Sequence, residues 1–336
     1  MLILLGDIKL PVKYSRLSKY LIASVVVIIL SSIRFDVGFD YANYYSIIDR
    51  VGGDDYKNEP ISGAIMDLGH YAGFPPFSFL LFASISYTLI VYSFYKNSDS
   101  YNLAFFCYLC FFFLETLGII RQTLGEAIVL FGFSAVREKK LLRYIIICLI
   151  ASLAHKSAIL ALPIYFLYNL KSIKLSVIII AIVGIMMTVI SQYISELGYF
   201  GAAANRIAEG ENSHPGGSLL QLFTPMLFIY IVAFSKIKNI KINWHIGVII
   251  LFGIMLPFII GSHYGMRIAR YYNIYMCFLL ANLLANFSAK TRVLTMSLFG
   301  LYFMLYISVG WNKKRPTIAP YQTIFQIEDI RNPKFR

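Results

Sequence analysis

"GIIRQTLGEAIVLFGF", residues 118–133, is an apolar run that carries Arg121 and Glu126 near its start. Moving an arginine into the hydrocarbon of a membrane costs roughly 2.5–3.5 kcal/mol on insertion scales. Ionisable residues in such helices usually face the interior of a helix bundle, where they mark a site or a pathway. The segment therefore predicts a membrane-spanning helix whose polar residues face a bundle interior.

The composition of the whole chain extends this prediction. Of its 336 residues, 58% are hydrophobic and 14% are charged, and the mean hydropathy is +0.68. Soluble domains carry about a quarter charged residues. Runs such as "LSVIIIAIVGIMMTVI" approach the ~20 apolar residues that cross ~30 Å of hydrocarbon. The sequence thus predicts an all-α polytopic membrane protein.

About eleven spans fit the apolar pattern, in one integral membrane unit over residues 1–336. Two of them, 143–155 and 157–170, are short, which allows a tilted hairpin or a re-entrant pair. The remaining approximate bounds are 17–34, 74–95, 101–117, 119–136, 175–195, 219–235, 246–262, 270–288 and 292–310. Outside the spans we expect outer loops at about 35–73 and 196–218 and an outer tail from about 311.

The basic residues of the chain cluster between spans rather than along one surface. With a cytoplasmic N-terminus, sixteen of the 30 Lys and Arg residues and three acidic residues fall in cytoplasmic segments, which then hold the entire net charge of +13. This is the positive-inside bias of plasma-membrane proteins, and it argues against nucleic-acid binding. The four cysteines all lie in apolar runs, where neither metal binding nor a disulfide is expected.

Several charged residues from distant parts of the sequence reach the same, outer level of the predicted membrane. Arg267, Arg270 and Tyr271 are spaced i, i+3, i+4, so they share one helical face. Two neighbouring guanidiniums repel unless an anion lies between them, and their planar forks match phosphate oxygens. We therefore expect a strongly cationic pocket for a lipid diphosphate, to which Arg34 and Arg121 also contribute. Other charged residues at the same outer level are Glu126, His155, Lys156 and Arg206.

Simpler interpretations exist for each residue taken alone. A single arginine near a helix end can extend to lipid headgroups. His155 can be a satisfied helix-end residue, Asp40 can cap a turn, and the tyrosines can belong to an interfacial aromatic belt. The convergence of several arginines on one face favours a functional site over these alternatives.

The motifs around these residues resemble those of the EpsG-type, Wzy-like polysaccharide polymerases. The resemblance rests on "IRFDVGFDYANYY", "IIRQTLGEAIVLFGF", "ASLAHKSAILALPIYFL", "MRIARYYNIY" and "IAPYQTIF", which follow one another in order from Arg34 to Phe325. The family's recurrent polar positions fall on Arg34, Gly38, Asp40, Tyr41, Tyr44, Arg121, Gln122, His155, Ser157, Arg267, Arg270, Pro320 and Tyr321.

This resemblance implies a GT-C-like architecture and a metal-independent glycosyl transfer at the outer face of the inner (plasma) membrane. Polyprenyl-diphosphate-linked repeat units would be joined into O-antigen or capsule-like polysaccharide, with a chain-length-determinant co-polymerase as a possible partner. No cofactor is implied.

We assign the site residues to three roles on this basis. We expect Arg267 and Arg270 to form a diphosphate clamp, with Arg121 and Arg34 as further contributors, because preplaced cations stabilise the charge of the leaving group. The base is His155 or Asp40. Substrate-binding residues are Arg34, Gln122, Tyr41, Tyr44, Tyr271 and Tyr321.

Two other classes of membrane protein remain open at this point. Multi-span O-acyltransferases also combine arginine and histidine with about ten spans, but they are not expected to have the late double-arginine element. A transporter or flippase for lipid-linked oligosaccharides would show symmetric repeats and polar residues at mid-membrane, and no repeat is evident here.

Overall fold

The computed structural model describes residues 15–54, 58–170, 240–260, 262–311 and 321–326, and these residues are mostly helical. The predicted spans 175–195 and 219–235, the predicted loop 196–218 and Arg206 lie outside the described residues.

The helices follow one another with short connections. In chain order they are α1 (Ser15–Ser32), α2 (Tyr41–Val51), α3 (Pro60–Tyr71), α4 (Pro76–Asn97), α5 (Tyr101–Phe111), α6 (Phe113–Thr116), α7 (Ile120–Phe131), α8 (Phe133–Arg137), α9 (Leu141–Ala154), α10 (Pro163–Asn169), α11 (Ile240–Ile260), α12 (Ser262–Asn273), α13 (Met276–Asn286) and α14 (Ala289–Trp311). Short 3-10 helices cover Lys156–Ala161 and Ile324–Gln326, and a two-stranded sheet pairs β1 (Arg34–Phe35) with β2 (Gln322–Thr323).

Among the described helices, α4 and the Ala289–Ser308 part of α14 are long and apolar enough to cross a membrane. Shorter apolar stretches are Tyr101–Phe111, Leu141–Ala154, Trp244–Pro257 and Met276–Asn286. The all-helical class agrees with the prediction, whereas the number of about eleven spans is not confirmed.

Apolar side chains on the outside of the helix bundle suit a lipid environment. In α14, Val293, Leu298 and Leu301 are each more than half exposed, and in α9 Leu142 is 71% exposed. Contiguous apolar strips of this kind are rare on monomeric soluble proteins, because water solvates them poorly.

Three predicted spans are divided by irregular residues. One of these spans, 157–170, separates at Leu162 into the 3-10 helix and α10. The span predicted at 119–136 breaks at Gly132 into α7 and α8. A Cβ atom at Gly132 would lie 2.9 Å from Ile147 and 3.2 Å from Tyr144 of α9, so the glycine allows the two helices to approach closely. The span predicted at 101–117 breaks at Phe112 into α5 and α6.

The predicted span 270–288 requires a larger correction, because α12 and α13 replace it. The short helix α12 folds back against α11. A Cβ at Gly265 would lie 2.5 Å from Pro257, and one at Gly253 would lie 2.7 Å from Tyr272, so glycines permit the contact at both ends. With 12 residues, α12 is about 18 Å long, too short to cross ~30 Å of hydrocarbon. Short helices at membrane depth are tolerated where protein surrounds them.

The predicted outer loop 35–73 contains two helices, α2 and α3, rather than irregular chain alone. Tyr41 of α2 is fully buried and stacks on Phe79 of α4 at a ring distance of 4.5 Å. Just before α2, Gly38 has φ +108, and a Cβ there would lie 2.5 Å from the Leu117 carbonyl oxygen. Glycine is therefore required where this segment touches the turn between α6 and α7.

The described part of the predicted tail returns to the end of α1. In the small sheet, Arg34 is opposite Thr323, and the Ile324 N–H donates a hydrogen bond of 2.8 Å to the Ile33 carbonyl. This pairing brings Tyr321 and the residues that follow it to the same end of the helix bundle as the first motif, whereas Pro320 lies outside the described residues.

Candidate active site

Two clusters of ionisable side chains lie beside helix α7, which supplies Arg121 to one and Glu126 to the other. We call Glu59, Arg121 and His155 the Glu59 cluster, and Glu115, Glu126 and Arg270 the Arg270 cluster. Arg121 and Glu126 are five residues apart on α7, so each reaches partners on other elements rather than its neighbour.

In the Glu59 cluster, one carboxylate contacts both an arginine and a histidine. Arg121 Nη1 pairs with Glu59 Oε2, and His155 Nδ1 lies 3.0 Å from Glu59 Oε1. The Lys156 backbone N–H donates to the same Oε1 at 3.1 Å. The Arg121 guanidinium also lies over the Tyr44 ring, 5.6 Å from its centre, a cation–π arrangement.

Local backbone structure explains how these residues meet. Glu59 precedes Pro60, the first residue of α3, and proline favours a helix start. His155 ends α9 in an extended conformation, with φ −154 and ψ 119, and the 3-10 helix begins at the next residue. Ser62 Oγ donates to the Ala154 carbonyl at 2.6 Å and so ties the start of α3 to the end of α9.

The charge state of Glu59 follows from its neighbours. Burial alone would raise the pKa of Glu59, but the neighbouring His155, the charge of Arg121 and the Lys156 N–H together lower that pKa below its ordinary value. The side chain is 7% exposed, so Glu59 is a buried anion at neutral pH.

In the Arg270 cluster, one guanidinium is shared by two carboxylates. Arg270 Nε donates to Glu126 Oε1 at 2.8 Å, Nη2 donates to Oε2 at 3.2 Å, and Nη1 pairs with Glu115. Bidentate pairing of this kind is among the strongest side-chain contacts. Tyr306 donates to Glu115 Oε1 at 3.4 Å, so the cluster joins α6, α7, α12 and α14. Phe112 lies below the guanidinium, 5.9 Å away.

Further contacts link the motifs to one another. Gln122 Nε2 donates to the Arg267 carbonyl at 2.6 Å and to Glu126 at 3.0 Å. The hydroxyls of Ser157 and Tyr271 are 3.1 Å apart. The "RQ", "HKS" and "RIARY" motifs, widely separated in sequence, therefore meet around α7.

The charge balance of the site differs from the predicted, strongly cationic pocket. Arg121 faces Glu59, and Arg270 faces Glu115 and Glu126, so carboxylates of the chain supply the counter-charge that we had assigned to a ligand. Arg267 is exposed whereas Arg270 is buried. The two arginines thus lie in different environments, although they are three residues apart on one helix.

Arg34 is buried and bonded to the backbone. It is 1% exposed, and its guanidinium donates to the carbonyls of Ser31, Val37 and Leu117, the last at 3.0 Å. These bonds join the end of α1 to the turn between α6 and α7. This geometry suits a structural role better than direct contact with a substrate.

The other predicted site residues differ in how far they are exposed. Tyr41, Tyr44 and Tyr271 are buried, whereas Tyr321 is 37% exposed and donates to the Leu30 carbonyl. Burial raises the pKa of Tyr321 to about 12. Asp40 precedes α2, is partly exposed and makes no capping hydrogen bond through its side chain.

Sequence reasoning missed two carboxylates. Glu115 lies in the apolar run "FFFLETLGII". A carboxylate inside a predicted span is itself a sign of a functional or structural site, so the sequence could have identified Glu115. Glu59 lies in a loop and has no local pattern to distinguish it, since its partners Arg121 and His155 are 62 and 96 residues away.

Comparisons with known proteins identify the family of the chain. No curated protein and no solved structure matches the chain. The sequence model of the EpsG family matches residues 19–323, which is most of the chain. Together with the apolar helices, this match points to a membrane protein. The chain therefore belongs to the EpsG family, a family of Wzy-like polysaccharide polymerases.

Proposed function

We propose that the protein joins polyprenyl-diphosphate-linked oligosaccharide repeat units into an O-antigen or capsule-like polysaccharide, by glycosyl transfer at the outer face of the plasma membrane. The observation that carries this proposal is the meeting of the three family motifs around α7, through the Arg121–Glu59–His155, Gln122–Arg267 and Ser157–Tyr271 contacts.

The reaction exchanges one glycosidic bond for another. A base removes the proton from an acceptor hydroxyl, the oxygen bonds to the anomeric carbon of the donor, and the bond from that carbon to the lipid diphosphate breaks. Negative charge grows on the diphosphate as it leaves, and fixed cations stabilise such charge strongly where water is scarce.

Arg267 is the arginine best placed to meet the diphosphate, because its side chain is exposed. Arg121 has 17% of its side chain exposed and is the second arginine that we assign to the diphosphate. Arg270 completes the predicted clamp indirectly: its bonds to Glu115 and Glu126 fix α12, and α12 carries Arg267. Arg34 supports the fold of the same region.

His155 is the preferred base. Its side chain is 18% exposed, so a substrate can reach it, and imidazole exchanges protons near neutral pH. Asp40, the other candidate, lies at the start of α2. Tyr44 and Tyr271 border the two clusters but are buried, so we assign them a supporting role rather than direct contact with a sugar. Gln122 positions the backbone of Arg267, and Tyr321 lies beside the small sheet.

The proposal is tested by deleting the gene in its host and separating the surface glycan by electrophoresis. A polymerase deletion leaves a product with a single repeat in place of a ladder, and the intact gene restores the ladder. Total loss of surface glycan would favour a flippase instead, and an unchanged ladder would refute the proposal. Feeding acyl-CoA or lipid-linked repeat units to membranes separates the polymerase from an acyltransferase.

A further inference from the structure

The geometry points to Glu59 as the residue that positions His155, in a carboxylate–histidine pair that leaves the Nε2 atom of His155 to accept the proton of the acceptor hydroxyl. The identity of that hydroxyl rests on the proposed function, whereas the pair itself is a property of the fold.

The contact between the two side chains sets which nitrogen carries the proton. His155 Nδ1 lies 3.0 Å from Glu59 Oε1. An ionised carboxylate can only accept, so the ring nitrogen that faces it is the one that carries hydrogen. Nε2 is then the unprotonated, basic nitrogen of the neutral ring. The Nδ1–H is not yet aligned with the carboxylate, and such contacts commonly tighten when a substrate binds.

Glu59 is itself held on both oxygens. Oε2 pairs with Arg121, and Oε1 accepts the Lys156 N–H at 3.1 Å. Because Lys156 directly follows His155, one oxygen binds the backbone beside the ring and faces the ring as well. The carboxylate therefore has a fixed position relative to the imidazole, as an orienting group requires.

The Glu59 carboxylate is the group beside the ring that favours the proton transfer. The groups that face His155 are the Glu59 carboxylate, the Arg121 guanidinium bound to it, and Tyr271, whose hydroxyl lies with the Cβ of His155 beside Gly125. When Nε2 takes the proton, the imidazolium that forms lies against the Glu59 carboxylate, which stabilises it. The proton later passes to solvent when product leaves, and the ring returns to its neutral state.

The first test measures the ring directly. The protein is labelled with ¹⁵N-histidine, placed in lipid bilayers at a pH where imidazole is neutral, and studied by NMR, with the His155 signal assigned from its loss in His155→Gln. We expect the proton on Nδ1 in the unaltered protein, and a shift of the proton toward Nε2 in Glu59→Met, which has a similar size and no acceptor. The matched control Glu138→Gln, an exposed carboxylate that pairs with Lys140, leaves the tautomer unchanged.

A proton on Nε2 in the unaltered protein would overturn the inference, and this measurement does not depend on whether any Glu59 variant folds. An unchanged tautomer in Glu59→Met would overturn it as well.

The second test uses the polymer ladder in cells that contain equal amounts of each membrane-inserted variant. We expect Glu59→Gln to lower polymer formation roughly 10- to 100-fold, the range in which groups that orient a histidine act. Glu59→Asp, which keeps the charge, restores part of the loss. The double variant Glu59→Gln/His155→Ala is no weaker than His155→Ala alone, because Glu59 acts through His155.

The two tests separate the two claims. If the losses of polymer formation in the two single variants multiply in the double variant, Glu59 does not act through His155, and the polymerase proposal is unaffected. A tautomer that depends on Glu59, combined with a normal ladder in all these variants, would support the pair and remove His155 as the base; the polymerase function itself is tested by the gene deletion.

Discussion

Replacing Arg270 by Gln tests whether the Arg270 cluster holds α12 in place. The variant removes a guanidinium that donates to both oxygens of Glu126 and pairs with Glu115. Glu126 has 1% of its side chain exposed, so the change leaves a buried carboxylate without its cation. Breaking a buried ion pair from one side costs about 3–5 kcal/mol. We expect a loss of that size in the free energy of unfolding.

The measurement is equilibrium unfolding of the purified protein in mixed micelles, followed by circular dichroism. Arg267→Gln is the matched control: it lies on the same helix but is exposed, so its cost should stay within about 0.5 kcal/mol. The double variant Arg270→Gln/Glu126→Gln removes the uncompensated charge, and should recover about 1–3 kcal/mol relative to the sum of the single variants.

Two results would refute this reasoning. Equal losses in Arg267→Gln and Arg270→Gln would show that burial and ion pairing do not distinguish the two arginines. Additive single-variant costs, within about 0.5 kcal/mol, would show that Arg270 and Glu126 are not coupled.

Three further predictions concern other parts of the site. Arg267→Gln should abolish the polymer ladder without loss of membrane-inserted protein on an immunoblot; a normal ladder would remove the phosphate-binding role. Gly38→Ala should lower the free energy of unfolding by about 1–3 kcal/mol or more, since φ is +108 and the new Cβ would meet the Leu117 carbonyl at 2.5 Å. Gly73→Ala, also at positive φ but with open space around it, should cost less, and the reverse order would contradict the close approach at Gly38. Because the pKa of Glu59 is lowered in the folded protein, its stabilising contribution is present above about pH 4.5 and is lost as pH falls through the lower folded-state value. The difference in thermal unfolding between the unaltered protein and Glu59→Gln should therefore shrink on acidification, and a difference that grows would show the opposite sign.

Much of the helical layout could be predicted because it depends on local sequence. The spans expected at 17–34, 74–95 and 292–310 differ from α1, α4 and α14 by three residues or fewer at each end. A long apolar run must form its backbone hydrogen bonds internally in a membrane, so its helix is largely independent of its neighbours.

The divided segments could not be predicted in this way. The break at Gly132 and the separation of α12 from α13 depend on how closely another helix approaches, as the contacts of Gly132 with α9 and of Gly265 with α11 show. At Gly132 the apolar run continues through the break, so no local pattern marks it. Helix α12 is more polar than α13, but the predicted span 270–288 begins within the last residues of α12 and so joined the two.

The sequence by itself determined the helical membrane class, the family and the arginines and histidine of the candidate site. The tertiary structure decided what those side chains face. Arg121 and Arg270 were expected to bind an anionic ligand. In the structure Arg121 pairs with Glu59, and Arg270 pairs with Glu115 and Glu126. Arg267 is exposed. The physical reason is that a buried charge needs a counter-charge within a few ångströms, and which carboxylate comes that close is set by the packing of helices distant in sequence.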